Sequence, residues 1–378
     1  MKNNSFKKRI GQLHLWLGLA SGMIVFIVAV TGCLYAFQEE IQNYTQEYRF
    51  VLEQDSPFLP PSKLVEIAQK ELPNKQLHAI KYNQKNNAAV AEFFHYEPTY
   101  YYTVFINPYT GKILKTVNNQ QGFFPFILDG HFYLWLPNEI GQVVVASATL
   151  VFLVLLISGF ILWYPRNKNA IKQRFWFRWK KGTTWKRKNY DWHTITGFYG
   201  LCIALVFAIT GLVFGFQWFA YSYYKVVGGQ KSLVYEEPLS KTKETTRITN
   251  PLDKVWYQMQ KEYPQAESIE IHPPEKPTAP IAANANPDKA TYWKIEYRYF
   301  DQYTLEEKEV KHLYGKYKNN KIPDNLIRMN YDLHTGAVFG LAGKIVAFLI
   351  SLLIATLPVS GFYIWWGRNK KAKGATNT

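Results

Sequence analysis

Two pairs of histidines stand at matched places in this chain, and they are the repeated groups with ligand chemistry. His14 is followed by Gly18 and by Thr31-Gly32; His193 is followed at the same spacing by Gly197 and Thr210-Gly211, 179 residues later. His131, in Asp129-Gly130-His131, and His334, in Asp332-Leu333-His334, each precede a further apolar stretch. Those stretches end in SGFILWYPRNK and SGFYIWWGRNK. Imidazole nitrogen is a suitable axial ligand for haem iron. Two facing histidines would leave no open coordination position, which favours electron transfer over oxygen chemistry.

Four apolar stretches must position these residues: Ile10–Phe37, Ile140–Tyr164, Trp192–Phe219 and Ile345–Trp366. None contains Asp, Glu, Lys or Arg, and each is long enough to cross a hydrocarbon core of roughly 30 Å at about 1.5 Å per residue. Ion and proton permeases keep charged groups at such depths, so a permease loses weight. Ser158-Gly159-Phe160 matches Ser360-Gly361-Phe362 at an offset of 202, against 179 for the first pair of stretches. The difference places an insertion in the second long loop. The chain thus reads as a tandem duplication of helix, outer domain, helix, with a pseudo-twofold axis along the membrane normal. That axis would bring His14 to His193 at one face and His131 to His334 at the other, as ligands of two b-type haems. Gly18 and Gly197, one turn beyond the first pair, would clear space for a porphyrin edge. The competing account is four interfacial histidines that cap helices or bind lipid headgroups.

Charge sets the orientation. The formal net charge is +16, but 18 of the 44 Lys and Arg lie in residues 1–9, 165–190 and 367–378, which hold no Asp or Glu. The rest of the chain carries 26 basic residues against 28 acidic. Short basic segments stay in the cytoplasm, so both termini and the 165–190 link are expected inside, in a bacterial cytoplasmic membrane. A nucleic-acid partner is not expected. The link, with Phe175, Trp176, Phe177 and Trp179 among its cations, is suited to anionic lipid. Val30-Thr31-Gly32-Cys33 also allows a lipoprotein cleavage site, but the third stretch repeats the Thr-Gly with Leu212 in place of cysteine. Cys33 and Cys202 form no CxxC and read as packing residues.

The expected domains are a tail at 1–9, helix 10–37, an outer domain at 38–130, helix 131–164 with its lead-in, the link 165–190, helix 191–219, a second outer domain at 220–331, helix 332–366 with its lead-in, and a tail at 367–378. Both outer domains read as α+β. The first has a helix at Pro61–Leu72, strands at Ala88–Phe94 and Tyr100–Ile106, and the turn Asn107-Pro108-Tyr109-Thr110-Gly111 before Lys112–Val117. The second has a helix at Pro251–Tyr263, a Pro/Ala/Asn-rich insertion at His272–Asp288, a strand at Tyr292–Phe300 and a looser turn at Asp301-Gln302-Tyr303-Thr304. His78, His95, His272 and His312 share no spacing and read as surface residues.

NPYTGKIL resembles the signature turn of a PepSY domain. LHLWLG…TG, DGHFYLWLPNEIG…SGFILW and LHTG…SGFYIWW resemble the helices of the PepSY-associated transmembrane family, which includes iron-regulated membrane proteins and ferric-siderophore reductases. The resemblance covers nearly the whole chain; it departs at Asp301–Leu305, which lacks the turn glycine. It implies a membrane α-helical protein with two extracytoplasmic PepSY-like domains that moves electrons outward to ferric iron or a siderophore chelate. Two other readings stay open: a haem conduit to another acceptor, and a non-redox anchor presenting PepSY domains to a peptide or peptidase. No GxGxxG after a strand, phosphate loop or flavin motif is present, so the electron donor would be a separate reductase, a quinol or a free flavin.

A reporter active only outside the cytoplasm is expected to work when fused within residues 60–120 or 240–325. It should fail within 170–188 or beyond 370. Activity in the basic link would reverse the orientation.

Overall fold

The computed structural model describes residues 2–165, 168–241 and 248–375. In chain order the elements are α1 (Lys2–Tyr35), α2 (Gln38–Thr45), α3 (Pro61–Glu71), β1 (Leu77–Tyr82), β2 (Ala89–Tyr96), β3 (Thr99–Ile106), β4 (Ile113–Asn118), α4 (Phe123–Tyr133), α5 (Asn138–Trp163), α6 (Lys168–Phe175), α7 (Trp185–Gly215), α8 (Gln217–Val226), α9 (Pro251–Glu262), β5 (Ser268–His272), β6 (Ile281–Asn286), β7 (Glu296–Phe300), β8 (Glu307–Lys308), α10 (Ile322–Arg328), α11 (Asn330–Thr335) and α12 (Gly340–Ala375). They form two compact units. A helical unit comprises Met1–Gln38, Phe126–Tyr223 and Asn330–Thr378; a sheet unit comprises Glu39–Pro125 and Tyr224–Met329.

In the helical unit α1, α5, α7 and α12 are long and apolar enough to cross a membrane, which makes this a multi-pass membrane protein with the lipid bilayer as its partner. α1 packs on α5 and α12, and α7 packs on the same two, so the four helices close a ring with α1 across from α7. Lipid offers no hydrophobic gain for helix association, so close packing must supply it. The buried centre is accordingly small-sided, with Ala29, Ala204, Ala208 and Ala355 beside Val25, Leu156 and Ile354. At Pro358, inside α12, the ring is met by Gly22, where a Cβ would lie 3.3 Å from the Pro358 Cβ.

Three of the helices outrun their apolar cores. α1 begins at Lys2, α7 at Trp185, and α12 continues to Ala375, because Lys and Arg propagate a helix well once it is nucleated. The basic link carries α6; Arg166 and Asn167 of the repeated Arg-Asn-Lys lie outside the described residues. Short helices α4 and α11 feed α5 and α12. The α4–α5 turn places Leu134 and Trp135 at φ of 55° and 58°. Trp135 folds back over Gly130, where any Cβ would lie 2.3 Å from its ring, and its indole N–H donates to the Phe126 carbonyl at 2.8 Å.

The sheet unit is one eight-stranded sheet in the order β4-β3-β2-β1-β5-β6-β7-β8, with every pair antiparallel. The sequence reading of two α+β domains therefore needs correction. The two segments of this unit each contribute four strands to the sheet and one helix, α3 or α9, to its core, and they join where Ile80 pairs with Ile271. Apart, β1 and β5 would be bare edges; together they are central strands. α3 and α9 lie in a core with Leu64, Ile80, Phe93, Val104, Trp256 and Ile271. They are tied to each other by Asp253, which accepts from the Ser62 backbone N–H and hydroxyl at 2.8 and 2.7 Å.

Two local expectations also change. The Pro/Ala/Asn-rich stretch contains β6, IAANAN, whose residues have poor strand propensity and are held by pairing with β5 and β7 on either side. The second turn keeps the shape of the first despite its missing glycine. Asn107 Oδ1 accepts from the N–H groups of Tyr109 and Thr110 at 2.9 and 3.2 Å, and Asp301 Oδ1 accepts from Tyr303 and Thr304 at 3.0 and 3.2 Å. Where the first turn has Gly111 at φ 75°, the second has Leu305 at φ 59°, a left-handed conformation unfavourable for leucine.

The seam between β1 and β5 carries ionisable groups on the face away from α3 and α9. His272 Nε2 lies 2.9 Å from Glu270 Oε1, its ring centre 4.9 Å from that of His78, and His78 Nδ1 lies 3.3 Å from Glu275 Oε1. His272 is thus no plain surface residue. Burial, and then the charge of Glu270, push the Glu92 carboxyl upward, with Lys81 and His272 opposing. Burial works against the His272 imidazolium, but Glu270 and Glu92 raise it overall. Burial works to raise Glu270, but His272 and Lys81 hold it low. Glu92 and His272 both bind protons more tightly when folded, so their contribution is present at low pH and lost as pH rises through their raised values. Glu270 contributes only above the ordinary carboxylate range and is constant in between. The melting temperature of the sheet unit in detergent is expected to fall between about pH 5 and about pH 8. Glu92→Gln should flatten that slope and raise the midpoint at the alkaline end; an unchanged slope would contradict the assignment.

Candidate functional site

All four repeated histidines lie in the helical unit. His14 sits within α1 and His193 within α7, on opposite members of the ring, and their ring centres are 6.5 Å apart at 87°. His131 on α4 and His334 on α11 approach each other with centres 6.1 Å apart at 68°. The structure therefore brings the four together as two pairs. Within α1, Thr31 lies 17 residues beyond His14 and contacts His131, which puts the pairs about 26 Å apart along the bundle at about 1.5 Å per residue.

Each ring is held through Nδ1 by a hydroxyl on a neighbouring helix. His14 Nδ1 is 2.9 Å from Ser158 Oγ on α5, and His193 Nδ1 is 2.8 Å from Ser360 Oγ on α12. His334 Nδ1 is 2.8 Å from Thr210 Oγ1 on α7. His131 Nδ1 is 2.9 Å from the Val28 carbonyl and 3.2 Å from Thr31 Oγ1 on α1. All of these bonds use Nδ1, and none of them engages Nε2.

Beside each hydroxyl is a glycine, and at three of the four a side chain would crowd the imidazole edge. A Cβ at Gly159 would lie 3.3 Å from His14 Cε1, and at Gly361 3.3 Å from His193 Cε1. At Gly32 it would lie 3.2 Å from His131 Cε1, and at Gly211 3.7 Å from His334 Cε1. Gly18 and Gly197, expected from the sequence to clear space for a porphyrin edge, face Leu155 and Leu357, whose side chains would lie 3.9 and 3.8 Å from a Cβ. The dipeptides Ser-Gly and Thr-Gly were visible in the sequence as repeats, but their contact with the histidines was not. The signal was their repeat at a constant offset: Thr31-Gly32 with Thr210-Gly211 at 179, and Ser158-Gly159 with Ser360-Gly361 at 202.

Aromatic rings line the α4/α11 pair. Phe207 and Phe214 stand 5.7 and 5.8 Å from His334, and Phe132 5.9 Å from His131. In the second half of the chain two buried asparagines brace the seats: Asn189 donates to the Ser360 carbonyl at 2.9 Å and Asn330 to the Thr210 carbonyl at 3.1 Å.

The donor set fits an iron porphyrin bound through two axial imidazoles. Two metal–imidazole bonds of about 2 Å, with the distance from each nitrogen to its ring centre, span roughly 6 Å. That is the observed spacing of both pairs. No group of three or more His, Cys, Asp or Glu suited to a bare metal ion occurs among the described residues. Of the remaining histidines, His312 is buried among Tyr235, Tyr299 and Tyr314 in the sheet unit.

Compared with known families, residues 12–368 match the family described as PepSY-associated TM region. No curated protein matches the chain.

Proposed function

This chain belongs to the PepSY-associated TM family, and on that premise we propose that it is a haem-b electron-transfer protein of a bacterial cytoplasmic membrane. His14 and His193 hold one haem iron, His131 and His334 a second. The observation that carries this reading is the repeated spacing of 6.5 and 6.1 Å between rings whose Nδ1 atoms are all engaged elsewhere. Bound haem supplies a one-electron ferric/ferrous couple.

The chain's own residues hold, orient and shield. With two histidines to hold each haem iron, the protein would leave no site for oxygen, and the chemistry supplied would be electron transfer. Placing one pair toward each end of the bundle divides the membrane crossing into shorter steps. The tandem duplication read from the sequence explains why each pair joins corresponding residues of the two halves. With the basic segments inside, His14/His193 is the cytoplasmic site, fed by a separate reductase, quinol or free flavin, and His131/His334 is the outer site. Phe132, Phe207 and Phe214 keep that outer site apolar, which suits outer-sphere reduction of a bulky ferric chelate or siderophore without protein ligands to the substrate iron. The activity is that of a ferric-chelate reductase.

Purified protein is expected to carry close to two haems per chain. His14→Ala and His193→Ala should each remove the same haem, His131→Ala and His334→Ala the other. Loss of one haem by a mixed pair of substitutions would refute the pairing, and absence of haem would sink the redox reading. Pre-reduced protein mixed with ferric chelates in a stopped-flow instrument should reoxidise faster than in buffer, and should lose this response with the His131/His334 haem. Reoxidation that survives that loss leaves a conduit to another acceptor.

A further inference from the structure

We infer that Ser158, Ser360, Thr31 and Thr210 are positioning residues that fix each histidine in its Nδ1–H tautomer and lower the potential of the iron held at Nε2, an inference that rests on the haem reading above. The argument turns on one proton. A serine or threonine hydroxyl has a single hydrogen to donate. Ser158 Oγ gives it to the Leu155 carbonyl at 3.2 Å and Ser360 Oγ to Leu357 at 3.0 Å. Thr31 Oγ1 gives it to Ile27 or Val28 at 2.8 and 3.0 Å, and Thr210 Oγ1 to Val206 at 2.6 Å. With its proton committed to its own helix, each oxygen can only accept, so the facing Nδ1 carries the hydrogen. At His131 the conclusion is reached twice, because the Val28 carbonyl cannot donate at all.

Hydroxyls that bond back to their own helix are ordinary in membrane helices. Ser21, which bonds the Leu17 carbonyl at 2.9 Å and faces no histidine, is one. The four seats differ in that each meets an imidazole and is followed by the glycine that admits it. Such a partner fixes ring orientation and raises ligand basicity, which favours ferric over ferrous iron.

The seats are graded. His334 has Thr210 as its acceptor, whereas His131 keeps the Val28 carbonyl if Thr31 is removed, and His14 and His193 keep the Leu155 and Leu357 carbonyls if Ser158 and Ser360 are. In redox titrations of the haem-loaded protein, Thr210→Val should raise the midpoint of the His131/His334 haem by about a tenfold shift in the ferric/ferrous ratio, about 59 mV for one electron. Ser158→Ala and Ser360→Ala should raise the other midpoint by less than Thr210→Val raises its own, Ser158→Thr should restore it, Thr31→Val should likewise shift less than Thr210→Val, and Ser21→Ala should move neither. In haem-depleted protein labelled with 15N-histidine, all four rings should show the Nδ1–H tautomer. Potentials unchanged across the seat variants with haem retained would overturn the inference and leave the haem reading standing, as would an Nε2–H tautomer at any of the four. Failure of the wild type to bind haem would overturn the haem reading, while the tautomer measurement would still judge the seats.

Discussion

An imidazole inside a lipid-embedded bundle has two nitrogens and few partners for them, and the helical unit is organised around that imbalance. One nitrogen of each ring is bonded to a hydroxyl on an adjacent helix; the other is left for a ligand. Meeting this demand constrains everything nearby. The hydroxyl must lie on the next helix of the ring, the residue after it must leave the imidazole room, as Gly32, Gly159 and Gly361 do, and the helices must approach closely enough for a bond of 2.8 or 2.9 Å. The small-sided centre of Ala29, Ala204, Ala208 and Ala355 permits that approach. In water the same bonds would compete with solvent and count for little.

The four spanning stretches were legible in the sequence because a dry crossing requires a long uncharged run, and no other soluble or peripheral element does. The histidine pairs were legible because a repeat shows itself as a constant offset. Contacts between helices leave no such trace. Ser158 is separated from His14 by 144 residues, and nothing in either neighbourhood states that they touch. The sheet shows the same limit. β2 and β3 alternate clearly and sit within one segment, whereas β1 and β5 gain their character by pairing with each other across the whole helical insertion. β6 has a sequence that argues against a strand and a position that compels one. Leu305 shows that a missing turn glycine does not mean a missing turn when Asp301, fully buried, bonds the loop N–H groups that Asn107 bonds in the other lobe. His272 read as a surface residue because its partner Glu270 is a strand neighbour and its other neighbours come from β1 and beyond.

The two halves are alike where the histidines are concerned and unlike around them. Asn189, which braces Ser360, corresponds to Ile10 in the first half, and Asn330, which braces Thr210, to Ile127. Trp192, bonded to Thr356 at 2.9 Å, corresponds to Leu13, and Thr356 to Val154. Polar clamps thus accumulate in the second half. The lead-ins also slip: His131 and His334 are 203 apart while the Ser-Gly dipeptides are 202 apart. The first half fits its extra residue into a turn with Leu134 and Trp135 at positive φ; the second, one residue shorter, turns with Gly336 and Gly340 at φ 79° and 61°.

Such drift is tolerable because of how the contacts are divided. Seating happens within a half: His14 with Ser158 and His131 with Thr31 in the first, His193 with Ser360 and His334 with Thr210 in the second. Pairing happens between halves: His14 with His193, His131 with His334. Each half can therefore orient its own two rings whatever changes in the other, but neither half alone has two rings facing one point. A group that needs two axial ligands would find neither of its sites until both halves are assembled. The ring of four helices, with α1 across from α7, is the arrangement that keeps each seat on a neighbouring helix while placing the paired ring across the bundle.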